Sequence, residues 1–239
     1  MIVHILERMR QAEASPPWSS FSAMLLVGML LIFTAFVGIA LASLVITEVS
    51  AMTLLGWSVG QLLGVALLGM VFRRTDARAF LLGEQTRLPI LIAFIMGMTF
   101  AVTLDLLPVL VSGQLINAPQ LIYTVRASSA WVWGLGIAFT VILQPIAEGL
   151  FFHGVLFPSV RVSGLPMTVA TVALLHTGYH LFLFPPIAGE VWQGVWIPLL
   201  SGIFLAMLRA YDKSPRSAIF AMVGMGTFMM LKAIFIASI

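Results

Sequence analysis

The sequence predicts an all-α fold, a polytopic bundle of about seven transmembrane helices. Two observations lead to this prediction. Hydrophobic residues make up 61% of the 239 residues, and charged residues make up only 9%. The apolar residues also fall in blocks of about twenty or more, which is the length that an α-helix needs to cross the hydrocarbon core of a bilayer. Because backbone polar groups must be satisfied inside lipid, these blocks are expected to be helical.

Residues 1–19 are expected to form a separate amphipathic segment at the membrane surface. In MIVHILERMR, apolar residues recur at roughly helical spacing beside Glu7, Arg8 and Arg10, and a Ser-Pro-Pro break follows. This pattern is typical of a short helix that lies in the interface, and it does not fit a secretory signal peptide. Residues 20–239 are then expected to form one transmembrane domain.

The predicted spans follow one another with short polar or proline-containing breaks between them. The fourth span has about thirty residues, so it must tilt or project beyond the hydrocarbon. The sixth is short for a span and contains Pro198 and Gly202. The seven predicted spans are residues 20–46, 51–72, 88–111, 129–158, 166–187, 191–209 and 217–238.

The positive charges predict the orientation of the chain, because Lys and Arg near span ends are retained on the cytoplasmic side. With seven spans, one side of the membrane holds ten of these residues and the other holds only Arg126. The amino terminus is therefore expected in the cytoplasm and the carboxyl terminus on the opposite side. The net charge of +3 reflects this distribution, so the expected partner is the lipid bilayer and no nucleic acid. The ten residues are Arg8, Arg10, Arg73, Arg74, Arg78, Arg87, Arg161, Arg209, Lys213 and Arg216.

Six ionisable residues fall inside the predicted spans, and four of them lie in two consecutive helices. Such residues are costly at membrane depth and generally face a protein interior or a wet cavity, so this cluster predicts one shared cavity. The absence of cysteine excludes a cysteine nucleophile and thiolate metal ligands. The six residues are Asp105, Glu148, His153, His176, His180 and Lys232.

Glu148 is the main candidate for a functional residue. Pro145 removes a backbone donor from the turn that leads to it, and Gly149 allows another helix to approach closely. One interpretation is a neutral carboxylic acid that hydrogen-bonds to a backbone carbonyl. The other is a general base that activates water in a cavity shielded from lipid.

His176 and His180 are four residues apart and therefore share one face of their helix. A divalent metal such as zinc, held by these two histidines and Glu148, is one interpretation, and a haem or chlorophyll-type pigment on one imidazole is another. The same spacing also arises when two polar residues line one groove. His153 follows Glu148 by five residues, about 140° around the helix, so it is expected to point elsewhere and to reach the headgroup region.

The remaining polar residues are expected to have structural roles. Asp105 is predicted to be a structural hydrogen-bonding residue or the partner of Lys232 or Arg126. Lys232 lies near the carboxyl end, so its ammonium group is expected to extend toward the outer headgroups. The stretch MVGMGTFMM predicts a helix-packing surface around its two glycines, in preference to a metal channel.

Two stretches resemble motifs of the CPBP family, the CAAX protease and bacteriocin-processing proteins, also called Abi proteins. AEGLFFHGVLFP resembles the family's Glu-Glu-x-x-x-Arg motif, with Glu148, Gly149 and His153 at the Glu, Glu and Arg positions. HTGYH resembles the Phe-x-x-x-His motif, with His176 at the Phe position and His180 at the His position. The residues of the family's third motif, His-x-x-x-Asn or His-x-x-x-Asp, are not present at the corresponding positions of this sequence.

The resemblance covers residues from about 125 to 235 and implies a membrane-embedded protease that acts on a membrane or lipidated peptide. It implies that Glu148 and His180 act on water, while His153 and His176 occupy supporting positions. Third-motif residues steady the oxyanion in the family, and one oxyanion donor typically contributes roughly 100- to 1000-fold in rate. Their loss therefore implies a weakly active or inactive enzyme. The alternative is a non-catalytic subunit with this fold, bound to other membrane protein subunits. The third-motif positions fall approximately at Met222 and Gly226.

Overall fold

The computed structural model describes residues 2–11, 13, 16–44, 49–72, 87–113, 129–184 and 191–238. Within these ranges the chain is helical and contains no strand, so the predicted all-α fold is confirmed. The helices are α1 (Ile2–Arg10), α2 (Ser20–Ala42), α3 (Val49–Phe72), α4 (Ile90–Ser112), α5 (Ala130–Ser163), α6 (Leu165–Leu183), α7 (Trp192–Asp212) and α8 (Pro215–Ser238).

Six of the described helices are long and apolar enough to cross a membrane, which fits an integral multi-pass membrane protein. These six are α2, α3, α4, α5, α7 and α8. The remaining long helix, α6, has nineteen residues and is more polar, because Thr168, His176, Thr177 and His180 interrupt its apolar residues. The seven predicted spans thus correspond to six strongly apolar helices and one helix that carries polar groups.

Helix α5 lies at the centre of the bundle and contacts α2, α3, α6, α7 and α8. It is not a regular α-helix. Two π-helical stretches, Ala138–Leu143 and Gly149–Leu156, flank a short α-helical turn, Gln144–Glu148. The proline that was expected to disturb the backbone, Pro145, lies in this turn, and π-helical turns in longer helices are frequent at functional sites.

Helix α8 packs tightly against α4 and α5 through small residues. A Cβ atom at Gly224 would overlap the backbone of Phe94 in α4, and one at Gly226 would overlap the carbonyl oxygen of Thr140 in α5. The packing surface predicted for MVGMGTFMM is therefore confirmed. This close approach holds α8 against the π-helical part of α5.

The amino-terminal segment is anchored to the ends of α5 and α7. Arg8 Nε donates a hydrogen bond to the carbonyl oxygen of Tyr211, and Arg161 donates one to the carbonyl oxygen of Met9. Trp18 Nε1 donates to Ser159 Oγ at 2.7 Å. Several apolar side chains of α1 remain exposed, so the helix keeps a face that can enter the lipid interface.

A buried group of charges, which we call the sealed cluster, lies where this segment meets α7. It consists of Glu13, Arg209 and Lys213. Arg209 is fully buried and donates to both carboxylate oxygens of Glu13, at 3.1 and 2.7 Å. Lys213 Nζ lies 3.6 Å from Glu13 Oε1 and donates to the carbonyl oxygen of Gln11. Arg209 was predicted to be a cytoplasmic charge at the end of a span, but α7 continues to Asp212 and Arg209 lies inside it.

Candidate functional site

A cavity of about 150 Å³ lies between α4, α5, α6, α7 and α8. Most of its wall is apolar, as expected inside a membrane protein. The cavity is comparable in volume to one that holds benzene. Its polar lining residues are Asp105, Thr140, Gln144, Glu148, His176, His180, Gln193 and Ser201.

Glu148 closes the α-helical turn at the centre of α5 and is completely buried. Its Oε1 accepts a hydrogen bond from Gln144 Nε2 at 2.8 Å. Its Oε2 lies 3.0 Å from His180 Nε2 and 3.3 Å from His176 Nε2. The structure therefore brings together the acid and the two imidazoles that the sequence singled out, and we call them the cavity cluster.

His176 and His180 have different surroundings, although they share a face of α6. His176 is buried, and its Nδ1 lies 3.2 Å from the carbonyl oxygen of Pro198. Because a carbonyl oxygen only accepts, Nδ1 carries a proton. In the neutral ring the unprotonated Nε2 then faces the Glu148 carboxylate, and it has no hydrogen-bond partner of good geometry among the described residues. His180 is more open, with its side chain 15% exposed, so a molecule in the cavity reaches it more easily than it reaches His176.

The cavity cluster also has the donor set of a metal site. One ligand atom each from Glu148, His176 and His180 lies within 4.8 Å of the others. Two imidazole nitrogens and one carboxylate oxygen are a known set for catalytic zinc, which keeps a fourth position for water. The bond from His176 Nδ1 to a backbone carbonyl is the kind of outer contact that orients a ligating histidine. The residues therefore fit a divalent ion.

His153 does not join the cavity cluster. Its ring is 1% exposed, and neither ring nitrogen has a hydrogen-bond partner among the described residues. Its carbonyl oxygen accepts a hydrogen bond from Arg209 Nε at 3.0 Å. The expectation that this side chain reaches the headgroup region is wrong, because the helices around α5 enclose the ring.

Asp105 and Lys232 form a pair at the edge of the cavity. Lys232 Nζ donates to Asp105 Oδ1, and Lys232 is only 7% exposed. The expectation that Lys232 extends toward the headgroups is wrong, because its ammonium group is buried within the bundle, where it pairs with the Asp105 carboxylate of α4. Of the two partners proposed for Asp105, the structure shows Lys232. Arg126, Arg73, Arg74 and Arg78 lie outside the described residues.

The positions that align with the third CPBP motif, Met222 and Gly226, also line the cavity. Neither side chain can donate a hydrogen bond. Gly226 has no room for a larger side chain, because the Thr140 carbonyl oxygen lies against its Cα.

Four polar cavity residues were not anticipated, namely Thr140, Gln144, Gln193 and Ser201. The sequence prediction rested on ionisable groups at membrane depth, whereas these side chains are polar and uncharged. Their signal in the sequence is a polar side chain within an apolar run, as in TVILQPIAE and VWQGVW.

Fold and site together define a polytopic helical membrane protein with a buried carboxylate and two imidazoles on the wall of a cavity. No family model, no curated protein and no solved structure matches the chain.

Proposed function

We propose that the protein is a CPBP-like intramembrane endopeptidase in which Glu148 and His180 activate water against a peptide bond. The observation that supports this proposal most directly is the 3.0 Å contact between Glu148 Oε2 and His180 Nε2 on the wall of the cavity. A carboxylate and an imidazole within hydrogen-bond reach of one bound water are the parts that general base catalysis requires.

The proposed reaction is a simple hydrolysis. Glu148 accepts a proton from water as the water oxygen attacks the carbonyl carbon of the substrate. The C–N bond then breaks, and the proton passes to the leaving amine. Gln144 donates to Oε1 of Glu148 and so leaves Oε2 to face His180 and the water. The reachable His180 ring holds the water or stabilises the charge that develops during proton transfer.

The apolar lining of the cavity favours an apolar substrate. A space of about 150 Å³ bounded by leucine, methionine and proline side chains accommodates an apolar side chain or part of a lipid chain. A membrane peptide or a lipidated peptide, as the CPBP resemblance implies, meets this requirement.

The proposed orientation places the amino terminus in the cytoplasm. Arg8, Arg161, Arg209 and Lys213 all contact the amino-terminal segment or the end of α7, so these positive charges gather at one end of the bundle. Retention of positive charge on the cytoplasmic side supports this direction.

A cleavage assay tests the proposed activity. Purified protein in liposomes should cleave a fluorogenic prenylated peptide or a transmembrane peptide, and Glu148→Gln should lower the rate by roughly 100-fold or more, because the general base is lost. Glu7→Gln is the matched control, since the Glu7 side chain is 69% exposed on α1 and does not line the cavity. Cleavage that persists in Glu148→Gln would show that the assignment is wrong.

A metal-assisted version of the same hydrolysis is the second candidate, and the protonated Nδ1 of His176 favours it. Glu148, His176 and His180 would hold a divalent ion such as zinc, and the ion would supply Lewis acid activation of water. Protein loaded with Co²⁺ should then show visible absorption bands that His176→Gln loses. If neither zinc nor cobalt is retained, the direct action of Glu148 and His180 on water is favoured.

A non-catalytic subunit of a larger membrane complex is the third candidate. It is favoured by the absence of hydrogen-bond donors at Met222 and Gly226. Purification in a mild detergent discriminates between the candidates, because this candidate requires stoichiometric partner proteins. A protein that purifies alone and cleaves peptide contradicts it.

A further inference from the structure

Two buried polar side chains in the cavity have no hydrogen-bond partner among the described residues. Gln193 is 5% exposed, and both its amide oxygen and its amide nitrogen are unpaired. Ser201 is 4% exposed, and its hydroxyl is unpaired. Both residues line the cavity that contains Glu148 and His180. Because buried polar groups are nearly always hydrogen-bonded, these three atoms are suited to pair with a molecule bound in the cavity.

Both side chains come from one face of α7, which is fixed in place. Gln193 lies in the π-helical turn Trp192–Trp196 at the start of the helix, and Ser201 follows about two turns later. Between them, the carbonyl oxygen of Pro198 accepts the hydrogen bond from His176 Nδ1. Next to Ser201, Gly202 lies against Ala173 of α6 so closely that a Cβ atom would overlap its backbone. The unpaired groups therefore have a fixed position relative to the histidines.

The chemistry of these groups matches a peptide bond. A peptide unit presents one N–H donor and one carbonyl acceptor. The Gln193 side chain presents one acceptor and an amide donor, and the Ser201 hydroxyl presents a further donor. An apolar acyl chain would leave all three atoms unpaired, so a lipid tail alone does not satisfy them.

We infer that Gln193 and Ser201 bind the main chain of a peptide in the cavity, with a peptide N–H directed toward the Gln193 amide oxygen and a peptide carbonyl directed toward the Ser201 hydroxyl. This inference rests on the proposed peptidase function and identifies its substrate-binding residues. Helix α7 would then supply the donors that α8 lacks at Met222 and Gly226. The loss of the third motif would therefore not leave the substrate carbonyl without a donor.

This inference can be tested by measuring binding to a variant that does not cleave its substrate. The parent is the Glu148→Gln variant, and the probe is a dansyl-labelled leucine dipeptide amide. A second probe is the depsipeptide in which an ester oxygen replaces the peptide N–H. Gln193→Leu and Ser201→Ala should each weaken binding of the dipeptide by roughly tenfold, because each removes a buried hydrogen bond to the ligand. The depsipeptide should bind the parent more weakly than the dipeptide, and Gln193→Leu should reduce this difference.

Thermal unfolding and a matched variant provide the controls. Gln193→Leu and Ser201→Ala should unfold at or above the temperature of the parent, because each removes an unpaired polar group from an apolar site. Ser58→Ala is the matched control, since Ser58 is also 5% exposed but donates to Leu54 within its own helix and does not line the cavity. It should leave dipeptide affinity unchanged.

Several results would overturn the inference. The first two are a parent that does not bind the dipeptide and a parent that binds the two probes with equal affinity. The others are unchanged dipeptide affinity in both α7 variants, or a loss of dipeptide affinity in Ser58→Ala as large as in the α7 variants. The binding test needs no cleavage, so it can succeed when the activity assay fails. Conversely, cleavage by the wild type together with unchanged dipeptide affinity in both α7 variants would overturn this inference alone.

Discussion

The sealed cluster and the cavity cluster both bury ionisable side chains, yet they differ in how completely their polar atoms are paired. In the sealed cluster, Arg209 donates to both oxygens of Glu13 and to the carbonyl oxygen of His153. Lys213 completes it from the end of α7. In the cavity cluster, Glu148 faces His176 and His180 across short distances, and the space beside them contains unpaired donors and acceptors.

The difference indicates two uses of buried polarity. A fully paired cluster ties distant parts of the chain together, because removal of one partner strands a buried charge. A cluster with open positions beside a cavity is poorly suited to hold the fold and well suited to bind something. Substitutions in the sealed cluster should therefore affect stability, and those in the cavity cluster should affect activity.

The largest expected effect on stability is that of Arg209→Leu. It removes both hydrogen bonds from Arg209 to the buried Glu13 carboxylate and leaves Lys213, 3.6 Å away, as the remaining cation of the cluster, so the free energy of unfolding should fall by about 3–5 kcal/mol. Thermal unfolding in detergent measures this change. The double variant Glu13→Gln with Arg209→Leu should recover much of the loss, because the stranded charge is gone. Equal destabilisation in the single and double variants would contradict an electrostatic cause.

His153 lies between the two clusters and should give an effect of opposite sign. Its ring nitrogens are buried and unpaired, so His153→Leu should raise the free energy of unfolding by about 1 kcal/mol. The same unfolding experiment measures it, and the cleavage rate provides the second readout. A loss of cleavage with unchanged stability would instead assign His153 a part in the reaction.

Glu148→Gln should change stability by less than about 1 kcal/mol, even though it should lower the cleavage rate by roughly 100-fold or more. The glutamine carbonyl can accept the hydrogen bond from Gln144, and its amide can donate to a histidine nitrogen, so no buried group is left unpaired. Unfolding of this variant beside Arg209→Leu compares the two clusters directly. A destabilisation as large as that of Arg209→Leu would show that the cavity cluster also holds the fold together.

The smallest expected effect is a change in the pH dependence of stability at Lys213. Burial lowers the pKa of Lys213 below its usual value of 10.5, although the Glu13 carboxylate opposes this shift. Between the lowered pKa and 10.5, the unfolded chain binds a proton that the folded protein has released, so the free energy of unfolding rises with pH. Lys213→Met should remove this rise. Unfolding temperatures from pH 7 to 10.5 measure it, and equal slopes in both proteins would contradict the prediction.

Much of the fold could be predicted because its determinants are local. Blocks of apolar residues have to match the thickness of a bilayer, and this predicted the approximate positions of the helices, although six of the described helices, against seven predicted spans, are long and apolar enough to cross a membrane. The convergence of Glu148 and His180 was also predictable, since polar groups on consecutive helices have few alternatives to meeting each other inside lipid.

The sealed cluster could not be predicted in the same way. Glu13 and Arg209 are separated by 196 residues, and no local pattern in either segment indicates the other. Arg209 resembled an ordinary positive charge at the end of a span. The position of the Lys232 side chain was predicted wrongly for a related reason. Its contact with Asp105 depends on the close packing of α4 and α8, and no local sequence pattern indicates that packing.

The π-helical stretches on either side of Glu148 make α5 sensitive to its own length. Each residue of an α-helix turns the chain by about 100°, and a π-helical turn accommodates a residue that an α-helical turn does not. Removal of a single residue from Gly149–Leu156 could restore a regular helix that still spans the membrane, but the segment containing Glu148 would rotate relative to the far end of α5. The site thus depends on residue number along this helix as strictly as on residue type, so insertions and deletions here should be as harmful as replacement of the acid itself.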